Sequence, residues 1–229
     1  MKIFKFGGAS VKDAENIKNV ASVIQQEGPK NKVIVISAMG KMTNAFEAII
    51  DAYFNKRDNL TEKISFVEKY HQSILSDLFA ENHSIYAEVN DLFGELSGFM
   101  STNTSTKFNF IYDQIVGFGE QISTKIVSAY LTQIDIKNNW LDVRDCIITD
   151  DNYRDAKVNW EVTENNIQQK INTENLTITQ GFLGGNKENT TTFSKHRLHL
   201  LDLFATAPYV DWHHKPELFQ DEAIENQID

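Results

Sequence analysis

Lys2-Ile3-Phe4-Lys5-Phe6-Gly7-Gly8-Ala9-Ser10 and Lys32-Val33-Ile34-Val35-Ile36-Ser37-Ala38-Met39-Gly40 decide the fold. The first stretch alternates lysine with apolar residues and halts at two glycines, which reads as a strand ending in a glycine turn. Beyond it, Val11, Ala14, Ile17, Val20, Ala21 and Ile24 recur at helical spacing, with Ser10 as the predicted N-cap. The second stretch is a β-branched run of the kind buried on both faces of a sheet. Gly40 breaks it, and a helical pattern resumes from Thr43 to Phe54, with Thr43 as the predicted cap. Strand, glycine turn and helix, twice in succession, predict an α/β fold with parallel strands.

The pattern changes outward from there. Leu60, Ile64, Val67, Ile74, Leu78, Val89, Leu92 and Leu96 keep helical spacing with no strand-like run between them, so about 58–105 is expected to be an all-helical insertion. Ser101 to Thr106 reads as a polar connector. Phe108 to Leu131 reads as one long helix disturbed at Gly117 and Gly119. Ile134–Val143 and Leu176–Phe182 read as further strands, and Trp160 to Ile171 as a helix. No glycine follows Gly185, whereas His196, His199, His213 and His214 all do. That break in composition sets the C-terminal stretch apart.

The 229 residues carry 22 Lys+Arg against 32 Asp+Glu, a net charge of -10. This argues against binding nucleic acid by phosphate neutralisation and against a basic membrane-surface protein. No apolar run approaches the roughly 20 residues that span a bilayer, and no secretory leader pattern opens the chain. Cys146 is the single cysteine, which favours a reducing compartment, the cytoplasm.

Several stretches have chemical content. In Lys5-Phe6-Gly7-Gly8-Ala9-Ser10 a cation precedes two glycines at a helix start, a place where backbone N–H groups can approach an oxyanion. The same residues also suit a plain strand–turn–helix corner. Ser37-Ala38-Met39-Gly40-Lys41-Met42-Thr43-Asn44 follows the second strand, and open parallel sheets bind ligands beyond the carboxyl ends of their strands. In Gly117-Phe118-Gly119-Glu120-Gln121-Ile122-Ser123-Thr124, Glu120 can receive an amino group and Ser123 can bond a carboxylate; an ordinary solvated glutamate is the alternative. Arg144, in Asp142-Val143-Arg144-Asp145, sits where a bidentate clamp on a carboxylate would serve, or where an Arg–Asp surface pair would form. The four late histidines have poor spacing for a metal and read as surface residues, so no metal site is assigned.

Taken together and in order, these segments resemble the aspartate kinase family, of the amino acid kinase fold. The resemblance adds Tyr153-Arg154-Asp155-Ala156, Gln180-Gly181-Phe182 and Thr190-Thr191-Thr192, and covers about residues 1–192. It implies a three-layer α/β/α sandwich with a mainly parallel sheet. It also implies ATP-dependent phosphorylation of the L-aspartate side-chain carboxylate to 4-phospho-L-aspartate, the first step towards lysine, threonine and methionine. Lys5 would then be catalytic, holding the phosphates, and Gly7, Gly8 and Ser10 would frame their path. Thr43 and Glu120 would hold aspartate, with Ser37, Ala38, Ser123 and Arg144 beside them. Mg2+ would arrive with ATP.

The chain departs from the family after Thr192. Where the family has a glycine-rich loop carrying a catalytic aspartate, this sequence runs Ser194-Lys195-His196-Arg197-Leu198-His199. The expectation is therefore a kinase lacking its nucleotide half and its regulatory domains, with 193–229 a divergent tail. A sheet edge left open would be covered by that tail or by a second copy, which predicts a homo-oligomer. The alternative function is an inactive aspartate-binding or dimerisation module.

Overall fold

A computed structural model describes residues 1–171, 174–186 and 191–193. Thr190, the predicted tail from 194 on and its four histidines lie outside the described residues. Four strands form one parallel sheet: β1 (Lys2–Phe6), β2 (Lys32–Ile36), β3 (Asn138–Leu141) and β4 (Leu176–Gln180), in the order β1-β2-β4-β3. A separate antiparallel pair joins β5 (Leu183–Gly185) to β6 (Thr191–Phe193).

The alternation along β2 builds the layers, because successive side chains leave opposite faces of a strand. Ile34 and Ile36 join a large apolar cluster with α1 (Ala14–Glu27), α2 (Met42–Phe54), α3 (Leu60–Leu78), α4 (Ile85–Thr102), α5 (Phe108–Val116) and α6 (Phe118–Gln133). Val33 and Val35 face the other way, onto Val143, Cys146, Ile147, Leu183 and Ile167 of α7 (Trp160–Lys170). Helix, sheet and helix make the three expected layers, and the stretch read as a helical insertion forms α3 and α4. Every residue of β2 is buried, as its β-branched run requires.

Four local expectations need correcting. Ser10 caps no helix: it lies in a short 3-10 turn, Gly8–Val11, and α1 is capped by Asp13, whose carboxylate accepts from the Asn16 N–H at 2.9 Å. An aspartate at that point is as strong a cap as serine, and only the 3-10 turn before it distinguishes the two. Thr43 is not a cap either, because α2 already begins at Met42. The single helix expected over 108–131 is two, broken at Gly117. The strand expected over 134–143 shortens to β3, since α6 runs on to Gln133 and Asp135 adopts φ 62 just beyond it.

Candidate active site

The carboxyl ends of β1, β2 and β4 are neighbours in the sheet, and each runs into one of the glycine-bearing turns. The first two turns interlock. Gly40 N–H donates to Gly8 O at 2.9 Å, and Ser37 N–H donates to Phe6 O at 3.1 Å. A Cβ on Gly8 would lie 2.6 Å from Gly40 O and 2.7 Å from Ala38 O. Gly8 is therefore glycine because two backbones meet there, whereas Gly7 has open space where its side chain would stand. Gly40 itself has φ +52 and lies beneath Tyr70 of α3, whose hydroxyl donates to Lys12 O. The helical insertion thus braces the turn.

α6 brings the acid. A Cβ on Gly119 would stand 3.1 Å from the Phe46 ring and 3.2 Å from Ala38 Cβ, so the start of α6 sits hard against α2 and the β2 turn. Ser123 Oγ donates to Ser37 O at 2.8 Å and fastens the helix there. Thr124 Oγ1 accepts from Trp140 Nε1 at 3.0 Å and from Gln180 Nε2 at 2.9 Å, tying α6 to β3 and β4. Gln180 Oε1 in turn accepts from Val143 N–H at 2.8 Å.

These ties hold Glu120 at 6% exposure over the β4–β5 turn. The Gly181 N–H is hydrogen-bonded to its carboxyl, and Oε2 is buried with no hydrogen-bond partner. Burial pushes the carboxyl up to about 8, opposed by the field of Lys5 and by the Gly181 bond. The Lys5 ammonium lies 5.1 Å from the centroid of the Phe182 ring, so one cation is shared between an aromatic face and the acid's field.

The structure brings together Lys5, Gly7, Gly8, Ser37, Ala38, Glu120 and Ser123. Thr43 is exposed on the first turn of α2, just past the β2 turn. Ser10 is fixed in the 3-10 turn, its N–H donating to Gly7 O at 3.0 Å. Arg144 follows β3 at the far edge of the sheet. Its fork is engaged by Asp142 (Nε to Oδ1 2.9 Å, Nη2 to Oδ2 2.6 Å), and Nη1 donates to Thr191 Oγ1 at 3.1 Å. The Arg–Asp pair is thus the arrangement that forms. The sequence marked Gln180 and Phe182 as part of a matched segment but gave neither a role; it missed Tyr70, which carries no local signal, since it is one more apolar position of a helix. Among the described residues, no group of three or more His, Cys, Asp or Glu could hold a metal ion. Nor is any described helix long and apolar enough to cross a membrane.

Residues 1–196 match the sequence profile of the amino acid kinase family. The chain belongs to that family. Its curated relatives include aspartokinase 2, chloroplastic, of Arabidopsis thaliana, 33% identical over 161 residues, which are 68% of this chain and 29% of the relative. The aspartokinase of Chlamydia trachomatis serovar D is 27% identical over 192 residues, 83% of this chain and 42% of the relative. Among solved structures, E. coli aspartokinase III in complex with lysine and aspartate superposes with a TM-score of 0.77 at 25% identity, covering 86% of this chain and 44% of that one. This amino acid kinase family chain therefore spans less than half the length of those relatives.

Proposed function

We propose that this chain binds L-aspartate and belongs to an aspartate kinase-type phosphotransferase. The reaction is transfer of the γ-phosphoryl group of ATP to the side-chain carboxylate, giving 4-phospho-L-aspartate for lysine, threonine and methionine synthesis in a reducing cytoplasm. The observation that carries the reading is the buried Glu120 carboxyl between Lys5 and Gly181, at the carboxyl ends of three parallel strands. A buried acid with an unpartnered oxygen is the natural counter-ion for a substrate ammonium. Thr43 and Ser37 offer polar groups on the same side, while Ser123 positions Glu120 through its bond to Ser37. Arg144, held by Asp142, supports the β5–β6 hairpin rather than the substrate.

Lys5 and the open space over Gly7 fit a phosphate tail, whereas Gly8 is spent on the turn contact. The acceptor is a carboxylate already ionised at neutral pH, so the transfer needs positioning and charge neutralisation rather than a general base. Lys5 supplies that charge, and Mg2+ enters with ATP. The run Ser194 to His199, in place of a glycine-rich loop, favours a second reading in which this chain binds aspartate without transferring phosphate. Calorimetric titration with L-aspartate, with succinate and with Mg-ATP, followed by an aspartate-dependent ADP-release assay, tests both. Aspartate binding with ADP release supports the kinase, aspartate binding alone supports the second reading, and equal binding of succinate overturns both.

A further inference from the structure

We propose that the empty amino-acid site holds Glu120 as a neutral acid, and that an arriving ammonium expels its proton to solvent. This rests on the reading of Glu120 as the ammonium's counter-ion. The step is an exchange: Glu-COOH plus a ligand ammonium gives a Glu carboxylate–ammonium pair and one released proton. No other bond is made or broken.

The charge pattern around the carboxyl carries the inference. β1 contributes Lys5, 5.1 Å from the Phe182 ring, and the β4–β5 turn contributes the Gly181 N–H. The ends of β2 and β4 bring Ser37 and Gln180, both uncharged. α2 brings Phe46 against the helix start, and its Glu47 accepts from the Tyr112 hydroxyl at 2.6 Å. On α5, Asp113 accepts from the Arg154 N–H at 2.9 Å. α4 brings Glu88, which is paired with Lys125 at 2.9 Å. One lysine and one N–H thus face an anion deprived of water, with Oε2 unbonded. An unpaired buried carboxylate is costly enough that the group protonates instead. A second cation against the carboxyl reverses that balance. The terminal torsion of a glutamate is soft, so either oxygen can turn to meet it.

The consequence is a proton count. With the carboxyl pushed up to about 8 in the empty site, binding at neutral pH releases about 0.9 proton per ligand. Affinity rises about tenfold per pH unit below that point and levels above it. The test is aspartate titration at about pH 7 in phosphate, HEPES and Tris, whose ionisation enthalpies differ, repeated with Glu120→Gln. A buffer-dependent enthalpy that becomes buffer-independent in a Glu120→Gln variant still able to bind aspartate supports the proposal, and a variant that no longer binds leaves the decision to the carboxyl titration below. A buffer-independent enthalpy, or one retained in the variant, overturns it. The 13C carboxyl shift of Glu120 in the free protein, followed against pH, decides the same point without ligand: a carboxylate already formed at about pH 6 overturns it. Failure of aspartate to bind, with Glu120 neutral in that titration, would overturn the proposed function and leave the neutral acid standing.

Discussion

Gly7 and Gly8 are adjacent glycines in the same turn, yet they answer to opposite constraints. Replacing Gly8 by alanine puts a methyl 2.6 Å from Gly40 O and 2.7 Å from Ala38 O, both backbone atoms that no rotamer can move. Carbon–oxygen contacts settle near 3.3 Å, so the two turns must part by about 0.7 Å. Overpacking of this kind costs about 1–3 kcal/mol. The separation also strains the 2.9 Å bond from Gly40 N–H to Gly8 O, a loss of about 1 kcal/mol. The sum, about 2–4 kcal/mol, lowers Tm by about 4–16 °C for a domain of this size. Gly7 has nothing within 4 Å of its absent side chain and a backbone at φ -74, ψ 173 that alanine adopts freely. Gly7→Ala is therefore expected to hold or raise stability, by up to about 1 kcal/mol, through the unfolded chain. Thermal unfolding of the two variants beside the parent reads the difference directly. If they melt together, the interlocked turns are not what fixes this corner. If Gly7→Ala is stable but loses Mg-ATP binding, the open space above Gly7 is the phosphate path.

Four further outcomes are expected. His71 is buried with Nε2 unbonded, and burial lowers its pKa from 6.5 to about 4. The unfolded chain takes up the proton first, so stability is lost as pH falls below about 6.5, by about 2 kcal/mol between pH 7 and 5; urea midpoints should show that loss, and His71→Leu should abolish it. Ser123→Ala should cost about 1 kcal/mol in urea unfolding and weaken aspartate binding, because Ser37 O loses its donor. Unchanged affinity would separate that bond from the site. A double-mutant cycle on Asp142→Ala and Arg144→Ala should give a coupling of about 1 kcal/mol, with aspartate affinity moving far less than in Glu120→Gln. Light scattering should find more than one chain per particle, since β1 and β3 are edge strands among the described residues; a mass of one chain would refute self-association.

What was legible in the sequence was whatever local chemistry dictates. The Val33–Ile36 run can only be a strand buried on both faces, and it became β2 at the middle of the sheet. Gly8, Gly40 and Gly181 marked the turns that end β1, β2 and β4, and Gly8 must be glycine because two backbones meet there. What stayed illegible was partnership. The arginine at 144 is equally suited to a substrate carboxylate and to its neighbour's; the folded 3-10 turn Val143–Asp145 sets the Asp142 carboxylate against its Nε and Nη2, a pairing that no spacing in the sequence announces. Ser10 and Asp13 both have cap chemistry, and the choice rests on a turn that no periodicity announces.

Glu120 shows why a site can be named from sequence while its chemistry cannot. Its position in Gly119-Glu120-Gln121 marked it as a ligand group, but in water that residue is an ordinary anion. It becomes a neutral acid only because Gly119 lets α6 close on Phe46 and Ala38, Thr124 is held by Trp140 and Gln180, and Ser123 is tied to Ser37. Those contacts come from α2, β2, β3 and β4, so the pKa of one side chain is a property of the whole sheet end. It follows that substitutions which loosen α6 without touching the carboxyl should lower its pKa by readmitting water. Trp140→Phe, which removes the indole N–H donated to Thr124 together with part of the ring beneath Lys125, is one of these. Its 13C titration should shift Glu120 towards the ordinary carboxylate range, while a substitution on the outer face of α4 should leave it in place.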